Sequence, residues 1–127
     1  MRAALAVGLG GLLGSLARYK LGGLVLHHTS SWRFPLSTFA VNLLGCALVG
    51  VLAGIAEHRH GLSPAARLFL ITGFCGGFTT FSALAYETFE LARAGDVGRG
   101  ALNLALHAGL GLVAVWGGHV AAMRMGS

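Results

Sequence analysis

Long apolar runs separated by short polar stretches dominate the sequence. Four of these runs lie at about residues 3–26, 36–56, 65–92 and 100–123. Each is long enough to cross about 30 Å of hydrocarbon as a helix. The pattern therefore predicts an all-α membrane protein with four transmembrane helices in a single domain, residues 1–127.

Three short polar loops join the predicted spans, at residues 27–35, 57–64 and 93–99. The second loop ends in Ser63 and Pro64, which predict a helix cap and a first helical turn for the third span.

The third span is interrupted near its middle by residues 73–82, Gly-Phe-Cys-Gly-Gly-Phe-Thr-Thr-Phe-Ser. Glycine disfavours a helix by up to about 1 kcal/mol relative to alanine at each position. Because apolar residues continue on both sides, the sequence predicts a helix that is broken but still crosses the membrane. Backbone groups freed by such a break must face protein or a polar cavity, and breaks of this kind often bind ions. A glycine-rich packing surface with a kink is the alternative interpretation.

Composition agrees with a membrane protein, since 55% of the residues are hydrophobic and only 10% are charged, against about 25% charged in soluble domains. The net charge of +5 does not indicate nucleic-acid binding, because the basic residues are scattered and lack an aromatic binding surface. Cys46 and Cys75 lie in apolar runs without metal-ligand spacing, which indicates packed free thiols.

The basic residues at the membrane borders are balanced between the two sides. Arg2, Arg59, Arg67 and Arg124 fall on one side, and Lys20, Arg33, Arg93 and Arg99 fall on the other, with Arg18 slightly deeper. The positive-inside rule then gives almost no preferred orientation. We therefore predict that the chain inserts both ways round.

The size of the chain points to a dimer, because four short helices hardly enclose a polar path. Gly10 and Gly14 in the first span, and Gly50 and Gly54 in the second, are spaced to allow close helix contacts. Combined with insertion in both orientations, this predicts an antiparallel homodimer in the lipid bilayer.

Polar residues inside the spans are candidate site residues, because they are expensive to bury in a membrane. Thr38 and Asn42 are four residues apart and share a helical face, as do Asn103 and His107. An amide can donate two hydrogen bonds to an anion without carrying a charge. Its alternative role is to join helices, worth about 1 kcal/mol.

No catalytic constellation is found, so the sequence does not indicate an enzyme. Asp96 lies in a loop, Glu57 and Glu90 lie near span ends, and the sequence shows no Ser–His–acid set. The N-terminal glycines fail the dinucleotide-binding fingerprint because Leu13 stands where the last glycine belongs. The two histidines of His58-Arg59-His60 are interpreted as solvated rather than metal-bound.

Three stretches, one in each of the first three spans, carry a resemblance to a known family. They are Gly10–Tyr19, which ends in Gly-Ser-Leu-Ala-Arg-Tyr, Ser37–Gly45 around Val41-Asn42, and the interruption at 73–82. Together they resemble the CrcB/Fluc family of small fluoride channels, over all four spans. The resemblance implies an antiparallel, dual-topology homodimer in the cell (inner) membrane, with two fluoride pores and a structural sodium ion (Na+) at the dimer centre.

The resemblance also implies roles for individual residues. The backbone carbonyls of Gly76 and Thr79 match the sodium site, and Arg18 matches an arginine of the vestibule. Asn42, Phe81, Ser82 and Glu87 match pore positions. We place Thr38, Thr80 and Asn103 on the same path as further polar groups.

Three positions depart from the family pattern. Leu84 stands in place of a second pore phenylalanine, and Ala83 replaces a threonine just before it. In the fourth span, Asn103 and His107 replace a Tyr-x3-Ser pair found in some members. Leu84 offers only weak C–H contacts to fluoride, whereas Asn103 can still donate hydrogen bonds.

The hypothesis favoured by these residues is a fluoride-selective channel that lets fluoride leave the cell passively and so lowers its toxicity. One alternative is a fluoride exporter coupled to protons or sodium, with Glu87 and His107 relaying protons. Another is a membrane scaffold that transports nothing. A small multidrug exporter is disfavoured because the first span contains no acidic residue to bind a cationic drug.

Overall fold

The computed structural model describes residues 1–57 and 61–125. Its regular elements in these ranges are α1 (Arg2–Thr29), α2 (Leu36–Glu57), α3 (Pro64–Arg67), a π-helix (Leu68–Cys75), α4 (Gly76–Phe78), α5 (Phe81–Arg93) and α6 (Val97–Met125). The prediction of an all-α protein is confirmed. The predicted solvated loop His58-Arg59-His60 lies outside the described residues.

Three segments of the described chain are long and apolar enough to cross a membrane: Leu36–Glu57, Pro64–Arg93 and Val97–Met125. They correspond to the second, third and fourth predicted spans. The 28 residues of α1 give a helix about 42 Å long. Arg18 and Lys20 make its second half more polar, and its crossing of the membrane stays a prediction.

The first and third loops are shorter than predicted. Helix α1 continues to Thr29, whose Oγ1 donates to the Val25 carbonyl oxygen at 2.7 Å. Helix α6 begins at Val97 rather than near Gly100, because Asp96 caps it by accepting from the Arg99 backbone N–H at 3.3 Å. Gly95, with φ +84°, makes the turn before this cap.

The third span is broken, as the sequence predicts. Ser63 caps its start, accepting from the Ala66 N–H at 3.2 Å, and Pro64 follows in the first turn. The π-helix and the short α4 then lead to Thr79 and Thr80, whose ψ angles of 160° and 112° are extended. Helix α5 resumes at Phe81, so one span consists of two helical halves joined by two extended residues.

The predicted glycine contacts are confirmed, and they lie within one subunit. A Cβ atom at Gly10 or Gly14 would collide with the backbone at Phe69 or Phe74 in the π-helix. In the same way, Gly50 lies against the backbone at Val115 of α6, and Gly54 lies against Ala122 and His119. The glycines therefore join two helix pairs, α1 with the first half of the third span and α2 with α6.

The interior is small and partly polar, while much of the outer surface is apolar. Thr38, Asn42 and Asn103 are buried alongside Val41 and Leu84, whereas many leucines of α1 and α6 are exposed. Lipid or a second protein copy can cover such a surface. The buried polar residues come from α2 and α6, and they mark where the site lies.

Candidate functional site

Asn42 holds the break open with both polar atoms of its side-chain amide. Its Nδ2 donates to the Thr80 carbonyl oxygen at 3.0 Å, and its Oδ1 accepts from the Thr80 backbone N–H at 2.7 Å. In a continuous helix that N–H would donate to the carbonyl of Gly76, four residues earlier. Asn42, only 8% exposed, therefore replaces a helical hydrogen bond and releases the Gly76 carbonyl from that partner.

The other groups of Thr80 start the second helical half. Its Oγ1 accepts from the Ala83 backbone N–H at 3.2 Å and lies 3.2 Å from the Ser82 hydroxyl. The backbone N–H groups of Phe81 and Ser82 have no acceptor within the helix, because they occupy its first positions. A helix start of this kind attracts anions.

The predicted sodium-site residues adjoin this break. Thr79 donates its hydroxyl to the Cys75 carbonyl at 2.9 Å, and its own carbonyl accepts from Arg18 Nη1 at 3.4 Å. Arg18 therefore reaches the break itself, and the vestibule role implied for it stays a prediction. Ser15 donates to the neighbouring Gly77 carbonyl at 3.5 Å.

A groove of about 590 Å³ brings six of the predicted site residues together. They are Asn42, Gly76, Thr79, Thr80, Phe81 and Leu84. Phe81 is 78% exposed, whereas Leu84 is only 7% exposed. The groove therefore joins the predicted sodium-site residues to part of the predicted pore, and Leu84 packs into its wall.

The remaining pore candidates lie outside that groove. Thr38 donates its hydroxyl to Glu87 Oε1, and Asn103 Nδ2 donates to the Thr88 hydroxyl at 3.0 Å. Ser82 contacts Thr80 and does not line the groove. Glu87 lines a second groove of about 570 Å³, between the α1–α2 loop and the end of α5.

Three buried polar atoms in the described chain have no hydrogen-bond partner: Glu87 Oε2, Asn103 Oδ1 and His107 Nε2. His107 also lines the groove that contains Asn42 and Phe81. The sequence suggested a proton role for His107 only under the alternative of coupled export. In the sequence, only the spacing of four residues from Asn103 marks His107 as a candidate site residue. No sequence pattern marks Thr88, the hydrogen-bond partner of Asn103.

Comparison with known proteins agrees with the motifs. A family profile described as CrcB-like protein, Camphor Resistance (CrcB), matches residues 5–119. A protein named fluoride-specific ion channel FluC from Methylobacillus flagellatus is 50% identical over 110 residues, which are 87% of this chain and 86% of the relative.

More distant relatives cover even more of the chain. Proteins of the same name from Acidobacterium capsulatum and Flavobacterium psychrophilum are 43% and 39% identical. They align with 94% and 98% of this chain and with 94% and 100% of their own lengths. The resemblance in the three polar stretches is therefore confirmed over nearly the full length. This multi-pass membrane protein belongs to the CrcB family.

Proposed function

We propose that the chain is a fluoride channel, which lets fluoride leave the cell passively and so lowers its toxicity. Its relatives carry the name fluoride-specific ion channel. The observation that carries the proposal is the clamp between Asn42 and Thr80, which opens the third span directly onto a groove lined by polar groups and Phe81. An ion channel is not an enzyme, and we propose no enzymatic activity for this chain.

Hydrogen-bond donors at the break can replace the water that fluoride loses. Asn42 uses one N–H on Thr80 and keeps a second. The first N–H groups of α5 add further donors. The ring edge of Phe81 carries the positive part of the aromatic quadrupole. Several donors of moderate strength allow an ion to enter without holding it too tightly to leave.

A second copy of the chain completes the pore in this proposal. The groove is open along one side, and Phe81 projects from it with most of its surface exposed. An antiparallel partner would cover this apolar surface in the bilayer. The same partner would bring its own Phe81 and Asn42 to the groove.

The residues at the break fit a sodium ion. Gly76 and Thr79 both line the groove, and the Gly76 carbonyl is released from its helical partner. Two copies would supply four carbonyl oxygens, the type of ligand that binds alkali cations. Arg18 occupies one side of the Thr79 oxygen, and a carbonyl has two lone pairs. A sodium ion there would hold the two copies together.

The test uses purified protein in liposomes loaded with fluoride and chloride. A channel lets fluoride leave the liposomes rapidly, driven by the membrane voltage, and retains chloride. Release limited to carrier speed would contradict the proposal. Phe81→Ile should slow fluoride release, while Phe89→Ile, also exposed on α5, should not. Replacing sodium with a bulky organic cation tests the ion separately, since the dimer should then weaken.

Coupled export is the second candidate, because Glu87 and His107 carry buried side-chain atoms that have no partner among the described residues and could pass protons. The two candidates give different results in the same liposomes. A proton-coupled exporter moves fluoride against its gradient when a pH gradient is applied, whereas a channel does not.

A further inference from the structure

We propose that the second groove, between the α1–α2 loop and the end of α5, binds the headgroup of an anionic phospholipid. This inference goes beyond the proposed function, because its ligand is a lipid rather than fluoride. Three observations carry it: the position of the groove at the membrane border, an arginine without a partner in its lining, and the combination of hydrogen-bond donors with apolar side chains around it.

The groove lies where two membrane spans end. The second span begins at Leu36, which lines the groove, and the third span ends at Arg93, two residues after the lining residue Leu91. Trp32 and Tyr86 also line the groove, and they are 64% and 65% exposed. Tryptophan and tyrosine are enriched where a membrane meets water. The groove is therefore at the depth of the lipid headgroups and the first part of the acyl chains.

The lining has one charged side chain that nothing in the described chain neutralises. Its charged residues are Arg33, Glu87 and Glu90. Glu90 pairs with Arg93 at 2.9 Å, while Glu87 has one oxygen bonded to Thr38 and the other buried. Arg33 is exposed and makes no hydrogen bond or ion pair within the described residues. The charge that the groove offers a ligand is therefore positive.

The neutral polar side chains of the lining include further donors. The indole N–H of Trp32 can only donate, and the hydroxyls of Ser30 and Tyr86 can donate as well. None of these three side-chain groups has a hydrogen-bond partner in the described chain. A phosphate group accepts hydrogen bonds, and the planar guanidinium of arginine matches two of its oxygens. The groove therefore supplies the groups that bind a phosphate.

The apolar part of the lining favours a lipid over a free phosphate. It consists of leucines, Phe34, a proline and an alanine: Leu26, Phe34, Pro35, Leu36, Leu91 and Ala94. Acyl chains can cover these side chains, whereas a free phosphate leaves them in contact with water. The ammonium group of a zwitterionic lipid would need an available carboxylate, and both carboxylates of the lining already have partners. An anionic lipid such as phosphatidylglycerol fits the groove better.

The two tryptophans of the chain, Trp32 and Trp116, provide the experiment. Trp116 is 68% exposed on α6 and does not line the groove. Trp116→Phe leaves Trp32 as the only fluorophore, and Trp32→Phe leaves Trp116. Each protein is placed in mixed bilayers in which either phosphatidylglycerol or phosphatidylcholine carries bromine, a contact quencher of tryptophan. We expect brominated phosphatidylglycerol to quench Trp32 more strongly, and the two lipids to quench Trp116 equally.

A second set of variants identifies the residue that binds the headgroup. Adding Arg33→Gln to the Trp32 protein should lower its preference for phosphatidylglycerol about fivefold, as expected for one basic residue at a membrane surface. Arg99→Gln is the matched control, because it removes the same charge from a residue that pairs with Asp96 at 2.6 Å and lies outside the groove. This variant should keep the preference.

Three results would overturn the proposal. One is equal quenching of Trp32 by the two brominated lipids, a measurement that needs no substitution in the groove. Another is a preference for phosphatidylglycerol that persists in Arg33→Gln. The third is loss of the preference when inorganic phosphate is added at constant ionic strength, because the groove would then bind free phosphate rather than a lipid.

Discussion

In the proposed function, the side chain of Asn42 serves both the backbone and an ion. An asparagine inside a membrane span is expensive unless its polar atoms are bonded. Here the backbone of one residue, Thr80, bonds both polar atoms of the amide: its C=O accepts from Nδ2, and its N–H donates to Oδ1. The remaining N–H of Asn42 is then held in a fixed direction at the groove. In the proposed channel, these two bonds would orient the donor before the ion arrives.

Replacing Asn42 with alanine should reduce both stability and fluoride release. The Thr80 N–H and carbonyl would lose their partners, at about 1–3 kcal/mol for each buried group, and the groove would lose a donor. We expect a lower unfolding temperature in detergent and at least tenfold slower fluoride release. Ser37→Ala is the control, because Ser37 lies on the same helix and its hydroxyl donates to the Gly22 carbonyl of α1. Wild-type release from Asn42→Ala would contradict this role.

The sequence predicts which polar residues matter but not what each one bonds. Asn42 and Thr80 are identifiable from the motifs, and the structure places both at the same groove. Their mutual bonding depends on which backbone groups the break releases, and a side-chain pattern does not contain that information. The sequence also does not predict that Glu87, Asn103 and His107 each keep one buried polar atom without a partner in the described chain. That outcome depends on how α5 and α6 pack.

Among the elements, the third span combines two ways of departing from an α-helix. The π-helix precedes the two extended residues, and π-helical turns often accompany functional sites. The break itself is predictable, since glycine and threonine cluster at 73–82. The π-helix is not, because Leu68–Phe74 reads as an ordinary apolar helix. It packs closely against the glycines of α1.

That packing gives a test at the level of one helix. In Gly14→Ala the new methyl group would collide with the backbone of Phe74, which cannot move without shifting the third span. Overpacking typically costs about 1–3 kcal/mol, so we expect a clearly lower unfolding temperature. Gly8→Ala on the same helix meets no atom within 4 Å and should be neutral or stabilising. Equal behaviour of the two variants would rule out this close contact.

The whole molecule is incomplete as a single subunit in the proposed function. Its groove is open, Phe81 is exposed, and its basic residues are divided evenly between the two sides of the predicted membrane topology. The last feature follows from the sequence alone, with Arg59 outside the described residues. A partner in the opposite orientation would explain the open groove and the charge balance together.

Shifting the charge balance tests this topology directly. Ala3→Lys with Ala4→Lys adds charge on one side, and Ser30→Lys with Ser31→Lys adds it on the other; all four positions are exposed. By the positive-inside rule each double variant should adopt one orientation. Neither alone could then form an antiparallel dimer, and fluoride resistance of a fluoride-sensitive host should be lost. Co-expression of the two variants should restore resistance, because each supplies the orientation that the other lacks.

A chain with all four lysines is balanced again and should be active, which controls for damage by the substitutions. Full activity of either double variant alone would refute the antiparallel dimer.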